Sequence, residues 1–153
     1  MKKLVLLLAV LCLSQLMAQN TNEVSVKRTI DQFYDGINER DSVKIKLTLS
    51  NNITYHKIDE VFGNKVLKQD NLSDVIQSIV AIPKPTKFEL KNTKININVD
   101  GQIANVWTES QFYLYGSYYE CGSSSFQLVK KGRDWKIISI LDHYSKENCQ
   151  GQN

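Results

Sequence analysis

Hydrophobic and polar positions divide the chain into a helical front and a strand-rich back. Between residues 23 and 41 apolar side chains recur every three or four positions, which predicts an amphipathic helix. These side chains are Val26, Ile30, Phe33, Tyr34 and Ile37. A second, shorter helix is predicted up to Leu49 and begins at Asp41 or Ser42, although the same stretch also alternates with a period of two.

A third helix and a run of strands follow. The helix begins at Asp70 or Asn71 and ends at the two prolines of PKP. A short strand, NITYHKI, and a turn at Gly63-Asn64 precede it. Four longer strands come after it, with turns at Asp100-Gly101 and around Gly132-Arg133: TKFELKNTKININV, QIANVWTESQFYLYG, YYECGSSSFQLVKK and DWKIISILDHY. This order predicts an α+β fold whose helices fill the hollow of a curved sheet.

The last turn sets a strand register from which the two faces of the sheet can be predicted. If Lys131 and Asp134 flank this turn, Leu128 lies opposite Ile137. Regular pairing then places Phe126 opposite Ser139, Ser124 opposite Leu141 and Cys121 opposite Tyr144. In this register His143 faces the core and Asp142 faces outward, because adjacent residues of a strand point to opposite faces.

The outer face of the sheet is predicted to be partly apolar. Its members are Lys136, Ile138, Ile140, Asp142 and Tyr144, together with Val129, Gln127 and Cys121. A face turned toward water is expected to be more polar than this. The pattern therefore predicts a homodimer that packs through the outer face of the sheet.

Residues 1–18 have the pattern of a secretory signal peptide. A basic pair precedes the unbroken apolar run Leu4–Leu13, and Ala18 is a small residue suited to cleavage. The run is shorter than the roughly 20 residues that span a membrane. We predict that residues 19–153 form one domain, exported to the periplasm or the exterior and free of the membrane. The alternatives are a buried N-terminal helix and a lipoprotein modified at Cys12.

Charge and cysteine content narrow the classes of partner. The formal net charge of +3 falls to +1 once the two lysines of the signal are removed. No basic face stands out, which argues against nucleic acid as a partner. The exported chain keeps Cys121 and Cys149, and an even cysteine count in an oxidising compartment predicts a disulfide. No cationic neighbour in the sequence would activate Cys121 as a nucleophile.

Several segments resemble the nuclear transport factor 2-like superfamily, and within it the bacterial lumazine-binding, SnoaL-like group. They are FYDGINERD, the block from FYLYG through CG to FQLVKKGRDWKI, and a cysteine just past the last strand. The resemblance covers nearly all of residues 19–153. It implies a cone-shaped fold, with three N-terminal helices packed on a strongly curved antiparallel sheet and a pocket at the open end. The superfamily includes isomerases, dehydratases, binding proteins and interaction domains, so the fold does not settle the function.

Few residues carry obvious chemistry. His56 and His143 are candidate general bases, because an unperturbed histidine titrates near pH 6.5. The alternatives are a strand-edge histidine with one hydrogen bond for His56 and a solvated histidine at the rim for His143. Asp142 cannot form a dyad with His143, since the two point to opposite faces. The chain has neither histidine pairs with metal-ligand spacing nor a GxSxG motif. We therefore predict no metal and no cofactor.

Aromatic side chains indicate a ligand more strongly. The pocket candidates are Tyr34, Tyr55, Trp107, Phe112 and Tyr118. Tyrosine can stack on a planar molecule and also donate a hydrogen bond, although the same residues could serve packing alone. A ketosteroid-isomerase-like site would need an inward carboxylate, which the predicted register does not supply. We therefore favour a small-molecule binding domain; the alternatives are an enzyme that uses a histidine base and a dimeric protein-interaction module.

Overall fold

The computed structural model describes residues 2–146, with side chains from residue 21 onward. Within that range the elements are α1 Lys2–Glu39, α2 Ser42–Thr48, β1 Leu49–Val61, β2 Asn64–Gln69, α3 Leu72–Val80, β3 Phe88–Asp100, β4 Ile103–Leu114, β5 Ser117–Lys131 and β6 Asp134–Ser145. The predicted α+β division is confirmed. None of the helices in the described part is both long and apolar enough to cross a membrane.

The six strands form one sheet in the order β2-β1-β6-β5-β4-β3. Neighbouring strands are antiparallel, apart from β1 and β6, which run parallel. The parallel pair arises because the meander from β3 to β6 returns its last strand to the side of β1. Helix α1 contacts both β3, at one edge of the sheet, and β6. The sheet therefore wraps around α1.

Each of the two shorter helices begins at a residue whose side chain caps the first backbone N–H groups. Asp41, rather than Ser42, caps α2, and its Oδ1 accepts from the backbone N–H groups of Val43 at 2.9 Å and Lys44 at 3.0 Å. Asn71 caps α3 in the same way. Two predicted turns are displaced by a residue. Val61 pairs with Asn64, so the first turn is Phe62-Gly63, and Asp100 pairs with Ile103, so the next hairpin turn is Gly101-Gln102.

A one-residue bulge in β6 changes the predicted register. Leu128 lies opposite Ile137, as predicted, but Gln127 lies opposite Ser139, which leaves Ile138 as the extra residue. Beyond the bulge the predicted pairs are wrong. The actual pairs are Phe126 with Ile140, Ser124 with Asp142 and Cys121 with Ser145.

The bulge also exchanges the faces of the second half of β6. Ile140 is fully buried in the core, whereas Leu141 lies on the outer face. Asp142 and Tyr144 turn inward with Ile140, and His143 turns outward. The predicted inward position of His143 and outward positions of Ile140, Asp142 and Tyr144 are therefore wrong, because an extra residue shifts the alternation of every later side chain.

The core lies between α1 and the inner face of the sheet. Its buried apolar side chains are Val26, Ile30, Phe33, Tyr34, Ile37, Ile45, Tyr55, Leu72, Ile76, Ala104, Val106, Phe126, Leu128, Trp135, Ile137 and Ile140. The end of α1 is tied to β3 through Asn38. Its side-chain amide donates to the Leu90 carbonyl at 3.0 Å and accepts from the Leu90 N–H at 2.7 Å.

Candidate functional site

A cavity of about 360 Å³ lies between the helices and the inner face of the sheet. Most of its walls are apolar side chains of α1, α3 and β3, among them Phe33, Ile37, Val75, Ile79, Phe88 and Leu90. A concave, largely apolar space with few polar groups is the usual form of a small-molecule site.

The floor of the cavity, formed by β4, β5 and β6, is polar. Ser124 lines it, and Thr108 and Ser110 are buried on the same inner face of the sheet; each of the three has a small side chain with a hydroxyl group. Thr108 pairs with Ser124, which in turn pairs with Asp142. Tyr34 reaches this floor from α1, and its hydroxyl lies 2.7 Å from Thr108 Oγ1. The short side chains leave the room that the longer tyrosines occupy.

Gly122 makes room for Tyr144 on the same floor. The two residues lie opposite each other on β5 and β6. A Cβ atom on Gly122 would collide with the carbonyl oxygen of His143 and lie 2.6 Å from Tyr144 Cγ. The tyrosine ring therefore covers the bare backbone of Gly122, and no larger residue fits that position without a shift of β6.

Asp142 is the acidic group of the floor. Burial raises the pKa of its carboxyl, and interactions with the Ser124 and Tyr55 hydroxyls partly offset that rise. The residue keeps some exposure because it faces the cavity, but its Oδ1 atom is shielded from solvent. Among the described residues Oδ1 has no hydrogen-bond partner.

Three tyrosines complete the polar floor. Burial raises the pKa of Tyr34, Tyr55 and Tyr144, and the nearby carboxyl of Asp142 raises each of them further. All three therefore keep their hydroxyl protons at any pH near neutrality. They can act as hydrogen-bond donors but not as phenolate bases.

Glu120 lies on β5 opposite Phe112, four residues before Ser124. Burial raises the pKa of Glu120, and Lys146 lowers it. Glu120 and Asp142 are the two acidic side chains that line the cavity, and within the described chain no lysine, arginine or histidine lines it. The electrostatic character of the cavity is therefore acidic or neutral.

Three of the five aromatic pocket candidates line the cavity: Tyr34, Tyr55 and Phe112. Trp107 does not line it, because it lies on the outer face opposite Ser125 and is 46% exposed. Tyr118 packs edge to face against Tyr113, with ring centroids 5.9 Å apart, and also does not line the cavity.

Neither histidine candidate lines the cavity. His143 lies in a polar depression that also contains Asp59, Glu109 and Ser123. His56 lies beside Leu67 and Leu141 in another hollow. In the described part of the chain no group of histidine, cysteine or carboxylate side chains could hold a metal ion. A general base from either histidine would therefore act outside the cavity.

The sequence prediction missed Asp142, Tyr144, Ser124 and Glu120 as cavity residues. One signal in the sequence could have located the first two. The apolar residues of KIISIL are Ile137, Ile138, Ile140 and Leu141, so they break a strict period of two. Such a break in a strand is typical of a bulge, but it does not say which residue is the extra one.

Cys121 lies on β5 opposite Ser145, one position further along β6 than predicted. Its expected partner, Cys149, lies outside the described residues. The Cys121–Cys149 disulfide therefore stays a prediction.

Solved structures with the same fold include proteins of several functions. An NTF2-like protein of unknown function from Shewanella baltica matches with a TM-score of 0.60 and 17% identity, covering 79% of this chain and 91% of that one. A provisionally assigned scytalone dehydratase from Novosphingobium aromaticivorans matches with a TM-score of 0.62 and 14% identity, over 88% and 95% of the two chains. A provisionally assigned ketosteroid isomerase from Shewanella frigidimarina matches with a TM-score of 0.56 and 17% identity, over 77% and 92%.

The chain therefore has the cone-shaped NTF2-like fold. No protein-family model matches the sequence, and a comparison with curated proteins found no match. At these low identities the likeness establishes the fold and leaves the function to be argued from the cavity. The narrower assignment to the lumazine-binding, SnoaL-like group stays a prediction.

Proposed function

We propose that this protein binds a small, largely apolar organic molecule in the cavity between its helices and its sheet. The observation that carries this proposal is the cavity itself, about 360 Å³ in volume, with apolar walls and a polar floor. Walls of this kind favour binding by burial of apolar surface, and a few polar groups at one end fix the orientation of the ligand.

A pair of matched substitutions in α3 tests the proposal. Val75 lines the cavity, whereas Val80, on the same helix, does not line it. Val75→Phe should fill part of the cavity and weaken the binding of a naphthalene-based probe at least about tenfold, or 1.4 kcal/mol. Val80→Phe should leave binding unchanged. Calorimetric titration measures both; equal affinities in the two variants would contradict the proposal.

A second candidate function is proton transfer to a ligand, favoured by the position of Asp142. Its carboxyl, with a pKa raised by burial, lies beside the protonated hydroxyl of Tyr55. A carboxylate base and a hydroxyl donor together could exchange a proton next to a carbonyl group. The test is deuterium uptake from heavy water by an apolar ketone such as tetralone, followed by NMR. Uptake at the uncatalysed rate would argue for binding without chemistry.

Dimerisation remains a proposal, with a revised set of residues. Ile140, Asp142 and Tyr144 no longer belong to the outer face, but Ile103, Trp107 and Leu141 do and are exposed. Ile103 and Trp107 are four residues apart on β4 and so share the outer face. Trp107 lies opposite Ser125, which in turn lies opposite Leu141, so the three strands present these side chains on one face. Light scattering at micromolar concentration distinguishes monomer from dimer, and Trp107→Glu should shift a dimer toward monomer.

Export and the Cys121–Cys149 disulfide also remain proposals. The signal pattern of residues 1–18 supports export. The place of Cys121 opposite Ser145, four residues before Cys149, supports the bridge. Such a bridge would stabilise the fold by about 3 kcal/mol in the chain-entropy model. Thiol labelling of the chain recovered from the bacterial envelope is the test, and two reactive thiols would exclude the bridge.

A further inference from the structure

We infer that the cavity takes an apolar or aromatic amine in its protonated form, whose ammonium group donates to the carboxylate of Asp142. This inference rests on the proposed function, because it names the chemical class of the ligand bound in the same cavity. It is carried by an unpaired carboxyl oxygen, by the charges around the cavity and by the aromatic rings that line it.

The first observation is the unpaired oxygen of Asp142. Its Oδ1 atom is shielded from solvent and has no hydrogen-bond partner among the described residues. An ionised carboxylate only accepts hydrogen bonds, so a shielded oxygen without a donor leaves it unsatisfied. Asp142 itself lines the cavity, so rotation of its carboxyl group would bring this oxygen to an N–H donor of a bound ligand.

The second observation is that no cation of the described residues lines the cavity with Asp142. Lys57 is next to Asp142 in the register of β1 and β6. Its Nζ atom, however, lies 2.9 Å from an Asp70 oxygen and 3.7 Å from an Asp59 oxygen. The counter-charge for an ionised Asp142 must therefore come from the ligand, because a buried charge is stable only when it is paired.

Lysine, arginine and histidine are also missing from the lining in the described chain, which instead carries Asp142 and Glu120. A carboxylic acid or a phosphate would bring a third acidic group into an apolar space whose described lining contains no cation. Like charges at short range disfavour such a ligand. The cavity therefore discriminates against fatty acids and other anionic amphiphiles.

The third observation is the set of aromatic rings around the same space. Tyr55, Tyr144 and Phe112 all line the cavity with Asp142. The face of an aromatic ring attracts a cation, and this attraction grows when water is excluded. A protonated amine thus gains from both the carboxylate and the rings, whereas a neutral alcohol of the same shape gains only a hydrogen bond.

Three probes with one skeleton test the inference on the full chain: naphthylethylamine, naphthylethanol and naphthylacetic acid. Calorimetric titration at neutral pH should give an affinity for the amine at least about tenfold above that for the alcohol. The acid should bind at least about tenfold more weakly than the alcohol. Asp142→Asn should bring the affinities for the amine and the alcohol close together. Asp134→Asn, at the exposed start of the same strand, should leave their ratio unchanged.

The outcomes separate the two proposals. If the alcohol binds but the amine binds no better, or if the preference for the amine survives Asp142→Asn, the amine inference is overturned and the apolar site stands. If none of the three probes binds, the proposed function falls as well. Should Asp142→Asn fail to fold, carbon-13 NMR of the Asp142 carboxyl in the unaltered protein decides. The amine should keep that carboxyl ionised to lower pH than the alcohol does, and identical titrations would overturn the inference.

Discussion

The two halves of β6 follow the same alternation of faces but are joined by one extra residue. Before the bulge, Trp135 and Ile137 face the core. After it, Ile140 and Asp142 face inward at even-numbered positions. The first half packs apolar side chains, whereas the second half lines a cavity with a carboxyl group. A single bulge therefore decides whether Asp142 or its neighbour His143 belongs to the candidate site.

Deletion of Leu141 should have the largest effect. With one residue fewer, either Ile140 must leave the core or Asp142 and Tyr144 must turn outward. Either outcome should cost about 5 kcal/mol, a value comparable with the whole stability of a small domain. Urea unfolding measures the loss. Deletion of Ile138 is the matched control, because removal of the extra residue keeps Ile140, Asp142 and Tyr144 on the inner face. Equal losses in the two deletions would contradict the proposed role of the bulge.

Truncation of one aromatic residue on each face should distinguish the two faces of the sheet. Phe126 is almost fully buried and packs edge to face with Phe33 at 5.6 Å. Phe126→Ala should destabilise the protein by about 4 kcal/mol. Trp107→Ala, on the half-exposed outer face, should cost under about 1 kcal/mol in the monomer. The free energy of unfolding of each variant is the measurement, and comparable losses would mean that the outer face is covered in solution.

Gly122→Ala should have a smaller effect, confined to the second half of β6. The new Cβ atom would meet the His143 carbonyl and the Tyr144 ring, so β6 must shift. We expect a destabilisation of about 2 kcal/mol and a change in the near-ultraviolet circular dichroism of the tyrosines. Ser123→Ala, one residue further along on the outer face, serves as the control. An unperturbed tyrosine spectrum in Gly122→Ala would show that Tyr144 does not pack on Gly122.

Asp142→Asn should have the smallest effect, and its size depends on pH. The folded pKa of Asp142 is raised above its ordinary value of 3.8, mainly by burial. The folded state therefore holds the proton more tightly, and its stability falls as the pH rises from 3.8 through the folded pKa. At neutral pH without ligand, Asp142→Asn should be more stable than the native protein by about 1 kcal/mol, an advantage that disappears below pH 3.8. Unfolding by urea across that range is the check, and a constant difference would contradict it.

Local patterns in the sequence predicted the elements well. The spacing of Val26, Ile30 and Phe33 identified α1, and the turn residues at Gly132-Arg133 fixed the last hairpin. The register of β6 was predictable only as far as Ile137. Ile138 and Ile140 are chemically alike, so the sequence does not show which of them leaves the alternation. That choice depends on the curvature of the whole sheet.

The candidate site was harder to predict, because its residues are brought together from distant segments. Tyr34 and Tyr55 were identified by residue type, and both line the cavity. Asp142 was assigned to the wrong face because the bulge was not anticipated. Ser124 has a short side chain that is common on any strand. Only the bulged register, which places it opposite Asp142, identifies it as a residue of the site.

The two hydrogen bonds between the Asn38 side chain and the Leu90 backbone also affect whether another molecule can add a strand to the sheet. In the described sheet β3 is an edge strand, and an unpaired edge can recruit a strand from another molecule. The Asn38 amide occupies both the N–H and the carbonyl of Leu90 from the open side. One side chain of α1 thereby occupies the two backbone groups of Leu90 that an added strand would need, so at this position the edge is closed to strand addition as well as fixed to the helix.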